Sequence, residues 1–208
     1  MTGDKTARTP RLEPTDLGGD PVLAFQAWLA AAVAAGEDES TAMTLATADE
    51  TGRPSARTVL LKGVDDRGFT WFTNERSRKG RDLAANPRAA LVFRWSSHWR
   101  QVCLLGPVER LDPADSDAYF ATRPLGSQLG AWASEQSTVI SGRHVLEDRF
   151  RAVTESYPDG NVPRPPHWGG FRLRPDEIEF WQGQPNRLHD RIRYRRVEDV
   201  WLVERLAP

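Results

Sequence analysis

Cysteine is almost missing from this chain: Cys103 is the only one in 208 residues. One thiol closes no internal disulfide and builds no cysteine-based zinc cluster. Long apolar runs are missing as well, none approaching the ~20 residues of a membrane span. The opening stretch, MTGDKTARTPRLEPTDLGGDP, has no apolar core and does not read as a secretory signal. Neither sign of charge is in excess, with 28 Lys+Arg against 29 Asp+Glu and a net of −1. No global field therefore argues for nucleic acid or an anionic membrane as partner. G-x-G-x-x-G, Walker and G-x-S-x-G patterns are all absent. His98, His144, His167 and His189 lack the spacing of a zinc hydrolase, so no metal is expected. These absences suit a cytoplasmic protein. Within a strand, Cys103 reads as a small buried hydrophobe rather than a nucleophile.

Tryptophan is plentiful, with eight residues, which suits a planar ligand, a core or a dimer interface equally. Residues 1–20 read as a disordered tail, being polar and aperiodic with Pro10, Pro14, Gly18 and Gly19. Residues 21–208 read as a single domain. Pro21 can start a helix running from Val22 to about Gly36, with Leu23, Phe25, Trp28, Leu29 and Val33 as its apolar stripe. Strands are expected at 42–47, 58–61, 69–73, 89–95 and 99–111. Helices are expected at 115–122 and 141–157, the latter with Val145, Leu146, Phe150 and Val153 as its stripe. Four short strands follow, at 170–173, 178–181, 191–194 and 201–204. Seven or eight strands with antiparallel turns and few helices predict a mainly β fold, a barrel-like core with peripheral helices.

Three clusters carry the chemistry. The stretch from Arg57 to Lys79 reads as strand, turn at Asp65–Gly68, strand, then a helix capped by Ser77. One hairpin would bring Arg57 and Lys62 to a helix start bearing Arg78 and Lys79, a way to hold phosphate without a glycine-rich loop. A solvated charged hairpin is the other reading. Tyr119 and Arg123 can share a helix face, with Ser127 in the turn after Pro124, forming an anion cradle or a surface arginine beside a core tyrosine. In a strand, Arg187, His189 and Arg191 would face one way, opposite Leu188. Three such cations repel one another unless an anionic or electron-rich partner sits there. The face is then a ligand site walled by Trp181, or a solvated edge.

Taken together, these segments resemble the pyridoxine/pyridoxamine 5′-phosphate oxidase family. The matching motifs are RTVLLK at 57–62, FTN at 72–74, SRKG at 77–80, RQV at 100–102, YF at 119–120 and RP at 123–124. SQLGAWAS at 127–134, QS at 136–137, WGG at 168–170, EFWQG at 179–183, RLHDR at 187–191 and ERLAP at 204–208 complete the set. The resemblance implies an antiparallel, Greek-key-like split β-barrel that binds FMN and works as a homodimer, with each site drawn from both chains. It implies that Arg57, Thr58, Val59, Leu60, Leu61, Lys62, Phe72, Thr73, Arg78 and Lys79 hold the flavin and its phosphate. Gln101, Gln136, Ser137, Trp181 and Arg191 would complete that site. Lys62, Tyr119, Arg123 and Ser127 would grip the substrate phosphate, and the catalytic pair Arg187 and His189 would sit over the pyridine ring.

The implied reaction oxidises pyridoxamine or pyridoxine 5′-phosphate to pyridoxal 5′-phosphate, with O2 as acceptor and H2O2 as product. The residues read bottom-up, as two anion cradles and a cationic face, fit this chemistry. Some members close an N-terminal Arg and Tyr over the substrate, whereas residues 1–20 here contain no Tyr. A related subgroup oxidises phenazine precursors and lacks much of the phosphate cradle that Lys62, Tyr119, Arg123 and Ser127 preserve here. A flavin- or pyridoxal-phosphate-binding protein with little turnover is the third reading.

Overall fold

The structure is a computed structural model, and it describes residues 10–208. Helices α1 (Pro14–Leu17) and α2 (Pro21–Ala34) lead into β1 (Ala42–Ala48), β2 (Pro54–Leu60), β3 (Gly63–Asp65) and β4 (Gly68–Asn74). Next come α3 (Arg78–Ala85), β5 (Arg88–Trp95), β6 (Arg100–Arg110), α4 (Pro113–Ala121), α5 (Leu125–Ala133) and α6 (Arg143–Ser156). The chain ends with β7 (Trp168–Leu173), β8 (Glu177–Gln182), β9 (Asp190–Val197) and β10 (Val200–Arg205).

All ten strands join one antiparallel sheet, ordered β10-β9-β8-β6-β5-β1-β2, with β7, β4 and β3 branching from β6. Strand β6 is the spine. Its residues 100–105 pair with β8, its residues 108–110 pair with β7, and β5 pairs with its residues 100–107. The change of partner falls at Gly106-Pro107. A Cβ on Gly106 would lie 2.0 Å from the Arg174 carbonyl oxygen, so only glycine lets the strands cross there.

The sheet curls into a half-barrel around an aromatic core, and α2 plugs it. Asp20 caps that helix, its Oδ1 accepting from the Val22 amide at 2.8 Å, with Pro21 in the first turn. Phe25 lies 4.8 Å from both Phe69 and Phe93, edge-on, and Trp28 packs edge-on to Phe180 at 5.1 Å. The buried face of α2 is Pro21, Ala24, Phe25, Trp28 and Ala32, while Leu23 and Val33 of the expected stripe are exposed. Small alanines let the helix sit close to the sheet, and a reading by side-chain size passes over them. Helix α6 likewise forms where expected, but its stripe is not buried in this chain, and Phe150 is exposed.

Two expectations need correction. Residues 1–9 lie outside the described residues, but 10–20 are packed rather than disordered. Leu12 and Leu17 are buried, the Tyr194 hydroxyl donates to the Gly18 carbonyl at 2.6 Å, and Arg205 Nη2 donates to the Leu12 carbonyl at 2.8 Å. Two leucines and these long-range bonds hold a segment whose local composition is polar. Secondly, β2 and β4 are not one hairpin. β2 pairs only with β1, and β4 pairs with β3 and β7. The Lys62 amide donates to the Thr70 carbonyl at 2.8 Å, and beyond that rung the two strands part. β2 is thus an edge strand whose outer row of amides and carbonyls has no ladder partner.

The turn into β4 depends on Gly68, with φ at +135° and its Cβ position 2.1 Å from the Leu173 carbonyl oxygen. Gly63, at the start of β3, has only ordinary contact with Thr70 at 3.8 Å. Gly68→Ala should therefore lower unfolding free energy by at least about 2 kcal/mol, and Gly63→Ala by less than about 1 kcal/mol. Urea unfolding of both variants checks this, and equal costs would refute the account.

Candidate active site

A cleft of about 980 Å³ opens where β2 and β4 diverge. Its walls are residues 55–60 and Lys62 on one side, and Phe72, Thr73 and Asn74 of β4 on the other. Arg78 and Lys79 of α3 contribute, with Tyr119, Arg123, Ser127, Gln136 and Ser137 covering it. A cleft this size takes a drug-sized or cofactor-sized molecule. Among the described residues its lining includes Arg57, Lys62, Arg78, Lys79 and Arg123 and no carboxylate.

The first cationic group gathers at the start of α3. Ser77 caps that helix, accepting from the Gly80 amide at 3.4 Å, as its sequence position predicts. Lys79 is buried, and its Nζ donates to Gln136 Oε1 at 2.6 Å, Thr73 Oγ1 at 3.0 Å and Ser77 Oγ at 3.2 Å. Burial, then the Arg57 guanidinium, pull the Lys79 ammonium down to about 8. Arg57 is held below the usual arginine range, chiefly by burial; Asp82 opposes that shift and Arg78 adds to it. The Arg78 amide donates to Ser137 Oγ at 3.2 Å, and Asn74 Nδ2 to the Ser134 carbonyl at 3.4 Å, pinning the loop after α5 over the helix start.

The second group is built at the α4–α5 corner. The structure corrects the expected arrangement: α4 ends at Ala121, Arg123 lies beyond it, and Ser127 sits in α5 rather than in a turn. Gln128 makes the corner rigid. It is buried, and its Nε2 lies within 3.0–3.3 Å of the carbonyls of Arg123, Phe120 and Ala121. The Arg123 guanidinium lies 4.8 Å from the Trp168 ring, and its Nη1 is buried with no partner among the described residues. Trp168, Phe72 and Tyr119 stack nearly parallel, with centroids 5.4 and 4.1 Å apart in turn. An unpaired buried N–H beside a desolvated cation is costly to leave unmet, so this wall is shaped for an anion.

The other expected residues lie elsewhere. Leu61 is buried in the core, outside the lining. Gln101, Trp181 and Arg191 stand in one row across β6, β8 and β9, away from the cleft. Arg187 and His189 are not on a strand, for β9 begins at Asp190. They sit in a tight turn in which Asn186 and Arg187 both have positive φ, 59° and 64°. The His189 ring lies 4.6 Å from Trp181, and its Nδ1 accepts from the Gln184 amide at 3.1 Å. Arg191 is paired rather than free, in a fork with both Glu179 oxygens at 2.7 and 2.9 Å. Glu179 is the anionic partner that the row of cations requires, and it raises the Arg191 pKa. Burial, then Glu179, push the Cys103 thiol up to about 11, which keeps it protonated.

Comparison with known proteins agrees with this geometry. Residues 29–157 match the family model described as pyridoxamine 5′-phosphate oxidase. The chain belongs to that family. Residues 168–208 match a second model of the oxidase family, described as the pyridoxine 5′-phosphate oxidase C-terminal dimerisation region. A pyridoxine/pyridoxamine 5′-phosphate oxidase of Salinispora arenicola is 59% identical over 199 residues, covering 95% of this chain and 90% of the relative. One from a Cyanothece species is 56% identical over 204 residues, covering 98% and 96%. Among solved structures, PhzG of Burkholderia lata in complex with tetrahydrophenazine-1-carboxylic acid is 32% identical, with a TM-score of 0.90 over 97% of this chain and all of its own. A Nostoc punctiforme FMN-binding protein related to the oxidases shares the fold at 19% identity, with a TM-score of 0.70 over 96% of this chain and 100% of its own.

Thr47, Ser55 and Asp82, which pack behind Arg57, and Gln128, which fixes the corner, were not singled out from the sequence for these contacts. Small hydroxyls and an acidic residue in a helix carry no local signal of burial. Lys79 yields a pH test. Its depressed pKa means that the unliganded protein loses this cation as pH rises through about 8. Inorganic phosphate should bind progressively more weakly above that pH, and Lys79→Met should remove that part of the profile. The same shift makes the unliganded fold gain stability from about pH 8 upward at this residue, because the unfolded lysine still holds its proton. Calorimetric titration across pH 7–10 checks the binding limb; a flat wild-type profile would refute it.

Proposed function

We propose that this protein oxidises pyridoxamine 5′-phosphate and pyridoxine 5′-phosphate to pyridoxal 5′-phosphate, using FMN and O2 and releasing H2O2. With the amine substrate, water enters and ammonia leaves. The carrying observation is a cleft with two cationic groups and no carboxylate in its wall, suited to one cofactor phosphate and one substrate phosphate. The relatives at 56–59% identity over nearly the whole chain supply the reaction class. The residues present fit the cofactor: Lys79 and Arg57 are desolvated cations, and the edge of β2 has amides and carbonyls free for a flat ring. A single free thiol suits a cytoplasmic setting, where thiols are kept reduced.

In this reading Arg57, Arg78 and Lys79 hold the FMN phosphate. Thr58, Val59, Leu60, Phe72, Thr73, Gln136 and Ser137 line the rest of the flavin site. Leu61 supports it from the core. Lys62, Tyr119, Arg123 and Ser127 grip the substrate phosphate, Arg123 through its unpaired Nη1. FMN held by these residues would supply the redox chemistry, taking a hydride equivalent from the substrate and passing the electrons on to O2. The chain's own task is to stack the rings, fix both phosphates and exclude water.

Gln101, Trp181, Arg187, His189 and Arg191 lie outside the cleft of their own chain, so they serve a site only from a second copy. The protein therefore works as a homodimer in this reading, which the match of residues 168–208 to a dimerisation region supports. Arg187 of the partner subunit covers the pyridine ring with its planar guanidinium. His189 of the partner subunit offers Nε2–H, because its Nδ1 is already an acceptor.

The likeness to PhzG raises a phenazine-type substrate as the second reading. The half-buried Arg123, its guanidinium over Trp168 and its buried Nη1 without a partner among the described residues, favours the phosphorylated substrate instead. Oxygen uptake by FMN-loaded protein decides between them. Turnover is expected with pyridoxamine 5′-phosphate; none with either B6 phosphate would sink the proposal. Arg123→Ala should raise KM for pyridoxamine 5′-phosphate at least about tenfold, since a charge-assisted contact is worth roughly 1.5–3 kcal/mol. An unchanged KM would move the substrate phosphate elsewhere.

A further inference from the structure

Behind Arg57 lies a buried arrangement that the proposed chemistry does not touch directly. Asp82 of α3 is buried, and one of its oxygens, Oδ2, accepts from two hydroxyls: Thr47 Oγ1 at 2.6 Å and Ser55 Oγ at 2.7 Å. Each hydroxyl has a single proton, and both protons are committed to the carboxylate. Their lone pairs therefore face Arg57. Its Nη1 donates to Thr47 Oγ1 at 2.7 Å and also to the Leu45 carbonyl at 3.2 Å, while its Nη2 donates to Ser55 Oγ. Asp82 and Arg57 are themselves 3.8 Å apart, so the contact runs chiefly through the hydroxyls.

A guanidinium has five N–H donors in a fixed plane. Thr47 and Ser55 are 3.2 Å apart and take the end-on edge, between the two terminal nitrogens. Both hydrogens of Nη1 are used. What remains is Nε–H and the outer hydrogen of Nη2, which lie side by side. Among the described residues no group accepts from Nε. This free edge is the one that matches two oxygens of a phosphate in a planar fork. The arginine belongs to the cleft lining, whereas the carboxylate is absent from it.

We propose that Asp82 is a positioning residue for phosphate recognition: through the Thr47 and Ser55 hydroxyls it locks one edge of Arg57 and presents the other to the ligand's phosphate. The arrangement also supplies a counter-charge to a guanidinium crowded by Arg78 without placing a carboxylate where it would repel the ligand. The inference rests on the reading that Arg57 grips the FMN phosphate.

The test compares FMN with riboflavin, which has the same ring system and no phosphate. Dissociation constants of the full-length, flavin-free protein are measured for both by quenching of flavin fluorescence. Asp82→Asn keeps the shape, weakens the acceptor and removes the charge. It should weaken FMN binding at least about tenfold and change riboflavin binding less than about twofold. Thr47→Val and Ser55→Ala each cut one arm with Asp82 in place, and should lower the FMN preference in the same direction by a smaller factor. If Asp82→Asn does not fold, these two variants decide by the same criterion. Unchanged FMN binding overturns the proposal, and so does an equal loss for both flavins, which would mark a merely structural role. Wild-type protein with no preference for FMN over riboflavin overturns the phosphate reading itself and the relay with it.

Discussion

The site depends on strands β2 and β4 not pairing. The last backbone bond between the two segments, from the Lys62 amide just past β2 to the Thr70 carbonyl of β4, lies at the end of the β3–β4 ladder. A ladder continued from there would bring Leu60, Thr58 and Arg57 against β4 and leave no cleft. β2 is laddered to β1 over seven residue pairs and β4 to β7 over six, so the two strands follow different parts of the sheet as they leave Lys62. The opening is thus a property of the sheet's connectivity, and any ligand it holds meets a frame already fixed.

Holding several cations in such an opening works against folding, since they repel each other and lose hydration. The structure offsets this by surrounding each with oriented dipoles rather than with carboxylates. Lys79 has Gln136, Thr73 and Ser77, and Arg57 has two hydroxyls with Asp82 behind them. Arg123 has an aromatic face, and Gln128 steadies its carbonyl. A neutral first layer keeps the charges available to an anion. The row of Gln101, Trp181 and Arg191 follows the opposite rule, with Arg191 locked to Glu179 in a two-pronged ion pair. Its guanidinium is a rigid, neutralised surface, better suited to shape than to capturing charge.

Much of this was legible in the sequence. Alternation and turn residues locate the main strands, Ser77 announces the start of α3, and Pro21 that of α2. The family motifs name the residues that the cleft gathers. What local pattern misses is who pairs with whom. Residues 57–73 read as a hairpin because the partners of β2 and β4 are distant or intervening strands, β1, β7 and β3. RLHDR reads as a strand because period-two alternation does not register two successive left-handed residues at Asn186 and Arg187. Leu12 and Gly18 are held by bonds to residues more than 170 positions away, Asp190 and Tyr194. Asp82 carries no signal of its role, because nothing beside it in the sequence reveals Thr47 of β1 and Ser55 of β2.

The end of the chain carries one more implication. Arg191 Nη1 donates to the Ala207 carbonyl at 2.9 Å, and the Leu206 amide donates to the Arg191 carbonyl at 3.0 Å. Strand β9 is also edged by β10. The 181–191 face is therefore finished by residues 200–207, whereas nearly all of the cleft wall comes from residues 55–137. During synthesis, which runs from the N-terminus, the cleft segments emerge before the strands that finish the opposite face. A nascent or prematurely terminated chain has the cleft lining in hand without the surface proposed to serve a second copy. Any pairing through that face would thereby be confined to chains that extend through Leu206 and Ala207.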